Sequence, residues 1–96
     1  MTVIVDELRA YPGAGPPFGR WCHMTTDGDF AELHAFAARL GIPRHRFQGD
    51  HYDLPPALRA RAVALGAQEV GTRELILRMA GARGDRARRR RHGRIR

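Results

Sequence analysis

Glycine and proline fix where this chain can and cannot be helical, and so they set the order of its elements. Between Leu8 and Arg20 stand Pro12, Gly13, Gly15, Pro16, Pro17 and Gly19. Proline lacks the amide donor and clashes with the preceding turn, so no helix passes through that stretch and it reads as a loop. Gly41 with Pro43 beyond it is a helix stop, and Gly66 is another. Pro55 and Pro56 cannot lie inside a helix, but proline is favoured at the first helical position, so a helix starts near Pro56.

The segments between these marks carry readable patterns. Thr2 to Val5 is a β-branched run ending in Asp6 and Glu7, and reads as a first strand. Trp21 to Thr26 is the second, with Trp21, His23 and Thr25 on one face and Cys22, Met24 and Thr26 on the other. Asp29, with Glu32 three residues later, resembles a capping box. The helix it opens runs from about Phe30 to Leu40, with Phe30, Leu33, Phe36, Ala37 and Leu40 on one side and His34 at the edge of that stripe. Arg44 to Gln48 is a third strand, carried by Phe47 and by the need to cross between two helices. Helix two follows from Pro56 to Gly66, with Leu58, Ala62 and Leu65 as its core stripe. Ala67 to Val70 is a fourth strand, and Thr72 caps a third helix in which Leu75, Ile76 and Met79 face inward.

The order β-β-α-β-α-β-α predicts an α/β domain, a small and mostly parallel sheet of three to four strands covered by three helices. Strand–helix–strand units normally close as right-handed parallel crossovers. The link between strands one and two permits either an antiparallel return or a parallel crossover. At 96 residues there is room for one domain. Core burial at that size is marginal, so a homodimer would help.

The net charge of +7 suggests a nucleic-acid binder until its location is considered. Eight of the 17 arginines and one of the ten acids lie in residues 83–96, which leaves nine of each sign in residues 1–82. The compact domain is therefore electrically balanced, and the basic character belongs to a tail expected to stay disordered alone. Were the tail to engage nucleic acid through Arg88, Arg89, Arg90 and Arg91, phosphate contacts would dominate and no base reading would follow. The expected result is DNA or RNA binding by the full chain that falls steeply with salt and is lost in residues 1–82; equal affinity of the two removes the tail from consideration. Cys22 is the single cysteine and can form no internal disulfide, and neither a leader nor an apolar run of about 18 residues is present. A cytoplasmic, soluble protein without a membrane partner is the expectation.

In an open parallel sheet, ligands bind outside the carboxyl ends of the strands. The loop from Gly49 to Pro55 is the richest by that rule, holding Asp50, His51 and Asp53 with Gln48 at its approach. His51 and Asp53, two apart in an extended segment, point the same way and can converge on one metal or substrate. Imidazole and carboxylate donors suit Zn or Mn better than Ca. Two ligands do not make a site, so His23 or Asp6 would have to supply a third. In a second version His51 is a general base whose tautomer is fixed by Asp53. No nucleophile is evident, since the chain has no Ser and Cys22 alternates away from His23. Arg20 is placed to meet a phosphate or carboxylate, although the nearby glycines do not form a phosphate loop. The plainer reading has Asp50 or Asp53 capping a turn, His51 bonding to backbone and Tyr52 packing.

Trp21-Cys22-His23, the run Glu32 to Ala37, and His51-Tyr52-Asp53-Leu54 resemble a family of small bacterial and phage proteins catalogued as domain of unknown function 4031. The resemblance covers about residues 2–80 and none of the arginine tail. Glu7 stands where the family usually has aspartate, and the loop from Pro12 to Gly19 is longer and richer in Gly and Pro. The resemblance implies a polar set at Asp6, His23, His34, Gln48, His51 and Asp53, and brings no established activity, substrate or cofactor. Residues and resemblance together lead to a small phosphate- or nucleotide-handling enzyme or ligand-binding domain. Its candidate chemical residues are His51, Asp53 and His23, with Gln48, Asp6 and Arg20 as ligand-binding candidates and a divalent metal as candidate cofactor. The alternative is a nucleic-acid-associated accessory protein acting through its tail.

Overall fold

The β-branched run at the start forms β1 (Val3–Val5), with Ile4 and Val5 fully buried. The computed structural model describes residues 2–10 and 19–82. Within them follow β2 (Arg9–Ala10), β3 (Arg20–Thr26), α1 (Phe30–Arg39), a 3₁₀ turn (Arg44–Arg46), β4 (Tyr52–Leu54), α2 (Pro56–Ala64), β5 (Gln68–Glu69) and α3, described over 72–82. Most of the loop expected between Leu8 and Arg20, and the whole arginine tail, lie outside the described residues.

The seven-residue β3 is the spine. It pairs antiparallel with β1 (Val5↔Met24), β2 (Arg9↔Trp21) and β4 (Met24↔Tyr52). Since β1 and β4 both meet Met24, they flank β3 from opposite edges. Among the described residues only β1 and β5 pair in parallel. The domain is thus mixed α/β with three helices and a five-stranded, mostly antiparallel sheet, and the expectation of a mostly parallel sheet is corrected. The physical reason lies in one segment. Arg44 to Gln48, expected as a strand, contains the exposed 3₁₀ turn and makes no ladder. The next strand forms later, at Tyr52–Leu54, where Tyr52 and Leu54 are buried and Asp53 between them is not. That extra pass of unpaired chain brings β4 in against β3 rather than along it.

The helix stops behave as the sequence indicates. Gly41 and Gly66 take φ of +78° and +110°. The amides of Gly41 and Ile42 donate to the carbonyls of Ala38 and Ala37, and those of Gly66 and Ala67 to Val63 and Ala62. Both ends are Schellman motifs, a geometry that glycine adopts without the steric penalty of a Cβ. At the starts, Pro56 opens α2. Asp29 holds the N-cap position of α1 without a side-chain capping bond, so the capping-box expectation does not hold. Thr72 does not cap α3: Gly71 supplies the carbonyl that accepts from Leu75, and the threonine hydroxyl reaches Asp6 instead.

Leu33, Ala37 and Leu40 of the first helical stripe are buried against Val5, Cys22, Met24, Tyr52 and Leu54 of the sheet and Ala62 of α2. Burying each large apolar side chain of this set contributes roughly 1.5–3 kcal/mol. Leu58 packs on the core from its edge, whereas Leu65 stays partly exposed. On α3, Leu75 and Ala82 face inward, but Ile76 is 57% exposed, against expectation. Leu75 and Ala82 lie seven residues apart and so share one helix face, from which Ile76 is turned by about 100°, and Arg78 pairs with Asp27. No helix among the described residues is long and apolar enough to cross a membrane.

His34 lies against Phe30, Phe47 and Tyr52 and shares a 2.8 Å hydrogen bond with the Tyr52 hydroxyl. Burial, with a smaller contribution from Arg44, lowers its pKa from the ordinary 6.5. His23 is shifted the opposite way, raised from 6.5 chiefly by its hydrogen bond to Asp6. The two therefore act in different windows. The His23 contribution is fully present below 6.5 and is lost as pH rises through its raised value; the His34 contribution is present above 6.5 and is lost as pH falls below it. Chemical denaturation of the metal-free chain across this range should show a stability maximum near 6.5, and His34→Gln should remove the decline on its acid side. A decline unchanged in that variant would assign it to other groups.

Candidate metal centre

The β3–β4 register sets His23 directly opposite Asp53 on one face of the sheet. Continuing that register places His51 opposite Thr25, on the same face. The loop before β4 is pinned there by two bonds. The Thr25 hydroxyl donates to the Asp50 carbonyl at 2.6 Å, and the Gln48 amide donates to the His51 carbonyl at 2.9 Å across Gly49, whose φ is +92°. As a result the His51 ring stands edge-on to the His23 ring, with centroids 5.1 Å apart.

On the other edge, the β1–β3 ladder is modified at Asp6. Its amide donates to the His23 carbonyl, as a ladder requires. The His23 amide then donates not to the Asp6 carbonyl but to its carboxylate Oδ1, at 2.6 Å. The released carbonyl accepts from Arg59 Nε at 2.8 Å. Asp6 Oδ2 meets His23 Nδ1 at 2.8 Å and accepts from the Thr72 hydroxyl at 3.0 Å. Asp6 is fully buried, and burial pushes its carboxyl upward. The bonds from His23 and Thr72 outweigh burial and hold it below its ordinary value.

His51 has a carboxylate at each ring nitrogen. Nδ1 is 2.6 Å from Asp50 Oδ1 and Nε2 is 3.2 Å from Asp53 Oδ1. Asp53 Oδ2 in turn accepts from the Gln48 side-chain amide at 2.7 Å. His23, His51 and Asp53 each offer one ligand atom, and these atoms lie within 4.8 Å of one another. All three side chains are partly open to solvent.

The structure thus gathers His23, His51 and Asp53, with Gln48 bonded to Asp53 and Asp6 bonded to His23. Asp6 lies behind His23, its carboxylate engaged by the His23 amide, the His23 ring and the Thr72 hydroxyl. Arg20 is exposed at the start of β3 and alternates onto the opposite face from His23, so it is not part of the cluster. Arg88, Arg89, Arg90 and Arg91 lie outside the described residues. Cys22 is a buried thiol, its pKa pushed up to about 12 by burial first and the Asp6 charge second, which leaves it unreactive. Two residues named in the sequence for other reasons turn out to contact the cluster. Asp50, read as part of the loop or as a turn cap, bonds to the His51 ring, a contact its adjacency to His51 could have signalled. Thr72 carried no such signal, since 66 residues separate it from Asp6.

The fold and the cluster define a class: a small mixed α/β domain bearing two carboxylate-backed histidines and an aspartate on one face of its sheet. The chain belongs to the family described as Protein of unknown function (DUF4031), whose model matches residues 3–82. No curated protein and no solved structure gives a significant match. The family match ends where the arginine tail begins.

Proposed function

We propose that His23, His51 and Asp53 bind one divalent transition-metal ion and that the domain is a metal-dependent hydrolase for a small phosphate-bearing molecule. The observation that carries this reading is the approach of His51 Nε2 to Asp53 Oδ1 at 3.2 Å, with Asp50 already on Nδ1. If the Nδ1 proton goes to Asp50, the Nε2 lone pair faces a carboxylate, and two electron-rich atoms stay that close only with a cation between them. A proton or a metal ion fills that role. Ligand atoms around a tetrahedral ion at about 2.0–2.1 Å are spaced by about 3.3 Å, so this separation accommodates a metal as well as a proton.

The surroundings support it further. Metal-bound histidines almost always give their second ring proton to a carboxylate or carbonyl, which fixes the tautomer and raises ligand basicity. Asp6 does this for His23 and Asp50 for His51, so both rings direct Nε2 toward the cluster. Gln48 holds Asp53 in the same way. Two imidazoles and one carboxylate select a borderline ion such as Zn²⁺, Mn²⁺ or Fe²⁺ over Ca²⁺. Three protein ligands leave coordination positions open, and an ion held so supplies Lewis acidity and an acidified water. The test is phosphate release from p-nitrophenyl phosphate by the chelator-stripped full chain with and without added Zn²⁺ or Mn²⁺. Turnover only in the metal-loaded protein, and not in Asp53→Ala, is expected; metal binding without turnover on phosphate esters overturns the hydrolase.

A further inference from the structure

We propose that the cavity beside Asp53 seats the ligand of this centre, and that it takes a small phosphate monoester carrying a single apolar or aromatic ring. The inference rests on the metal reading for the part played by Asp53, and on the cavity itself for the rest. The cavity measures about 300 Å³. That is the lower end of the range for small-molecule sites, about 300–1,000 Å³, which suits one ring with one phosphate rather than a dinucleotide or a polymer.

Its walls come from elements that also build the cluster. Trp21 precedes His23 by two residues on the same face of β3, and Pro55 follows Asp53 by two at the β4–α2 junction. Ile42 and Leu58 complete an apolar lining. Arg46, ending the exposed 3₁₀ turn, is the one basic residue in that lining among the described residues. Apolar walls select a ring, and a guanidinium selects a phosphate through paired charge-assisted hydrogen bonds.

The charge arrangement links the cavity to the metal. Asp53 lines it too, and a phosphate dianion beside a carboxylate is repelled unless a cation offsets that charge. A divalent ion on Asp53 offsets that carboxylate's charge, so ligand and metal each strengthen the binding of the other by the same factor. Neither Trp21 nor Arg46 is a metal ligand in this scheme, so the two sites can be perturbed separately.

The experiment follows Trp21, the single tryptophan of the chain. The full chain is titrated with phenylphosphonate, which carries ring and anion but has no ester bond to cleave, while tryptophan fluorescence is recorded with and without Zn²⁺. Methylphosphonate and phenol serve as controls lacking the ring or the anion. Zn²⁺ binding is measured independently on the same samples. The expected result is a saturable change with phenylphosphonate, tighter when Zn²⁺ is bound, and weaker by about tenfold for either control. Arg46→Met should weaken phenylphosphonate about tenfold, with Arg46→Lys intermediate and circular dichroism unchanged in both. If Zn²⁺ binds but phenylphosphonate gives no saturable change, or if Arg46→Met binds it as the unaltered chain does, the cavity assignment is overturned while the metal reading stands. If Zn²⁺ does not bind, the metal reading falls, and the cavity is judged on the metal-free titration by the same Arg46→Met criterion.

Discussion

His51→Ala should lower the affinity of the full chain for Zn²⁺ by about a hundredfold or more, at or beyond the upper end of what an outer-shell change costs. The imidazole is one of three protein ligands, and its removal leaves His23 and Asp53, too few to hold a transition ion firmly. Asp50→Asn separates ligation from orientation. It leaves all three ligands in place and alters only the partner of His51 Nδ1, 2.6 Å away. Outer-shell partners of this kind are worth roughly 10–100-fold in metal affinity. Arg20→Ala, on the opposite face of β3, should leave affinity unchanged. Competition against a chromophoric chelator gives all three constants. A Zn²⁺ affinity equal in His51→Ala and the unaltered chain would show that His51 is a structural clamp between two carboxylates rather than a ligand.

Asp6→Ala should destabilise the metal-free domain by about 3 kcal/mol, within the range for breaking a buried hydrogen-bonded ion pair. The fully buried carboxylate serves three donors: the His23 amide, the His23 ring and the Thr72 hydroxyl. It also joins parts of the chain that no local pattern connects, tying the end of β1 to the middle of β3 and the first turn of α3. Alanine leaves the His23 amide facing a void, and an unsatisfied buried donor is itself costly. Thr72→Val removes one of the three bonds and should cost about 1 kcal/mol. Urea denaturation of the two variants measures both. A loss below that of Thr72→Val for Asp6→Ala would mean that water replaces the carboxylate and that the buried network contributes little.

These residues also show how far the sequence could be read. The helix ends were legible because Gly41 and Gly66 act through backbone conformation, which depends on the residue itself. The faces of β3 were legible because alternation is a property of any strand, and they put His23 beside Trp21 and away from Cys22. The two-residue spacing of His51 and Asp53 likewise needs only an extended backbone, and the structure supplies one.

The errors came where a rule about neighbours replaced a rule about residues. Crossover geometry favours parallel strands, but it assumes that each helix leads straight to the next strand. Here the chain spends an additional pass at Arg44–Arg46, and β4 pairs the other way. Tyr52-Asp53-Leu54 shows the buried–open–buried alternation of a strand, yet its polar surroundings at Asp50 and His51 make it look like a loop. Thr72 failed for a similar reason. What draws its hydroxyl is Asp6, far away in sequence.

The central claim is that two histidines and one aspartate hold a single ion. X-ray absorption at the zinc edge of the Zn²⁺-loaded full chain tests it most directly, since it reports the atoms around the metal. The account predicts one ion per chain with two imidazole nitrogens and carboxylate oxygen at about 2.0–2.1 Å, and loss of one imidazole from the pattern in His51→Ala. A shell of oxygens alone, a sulfur neighbour from Cys22, or a pattern indifferent to His51→Ala would contradict it.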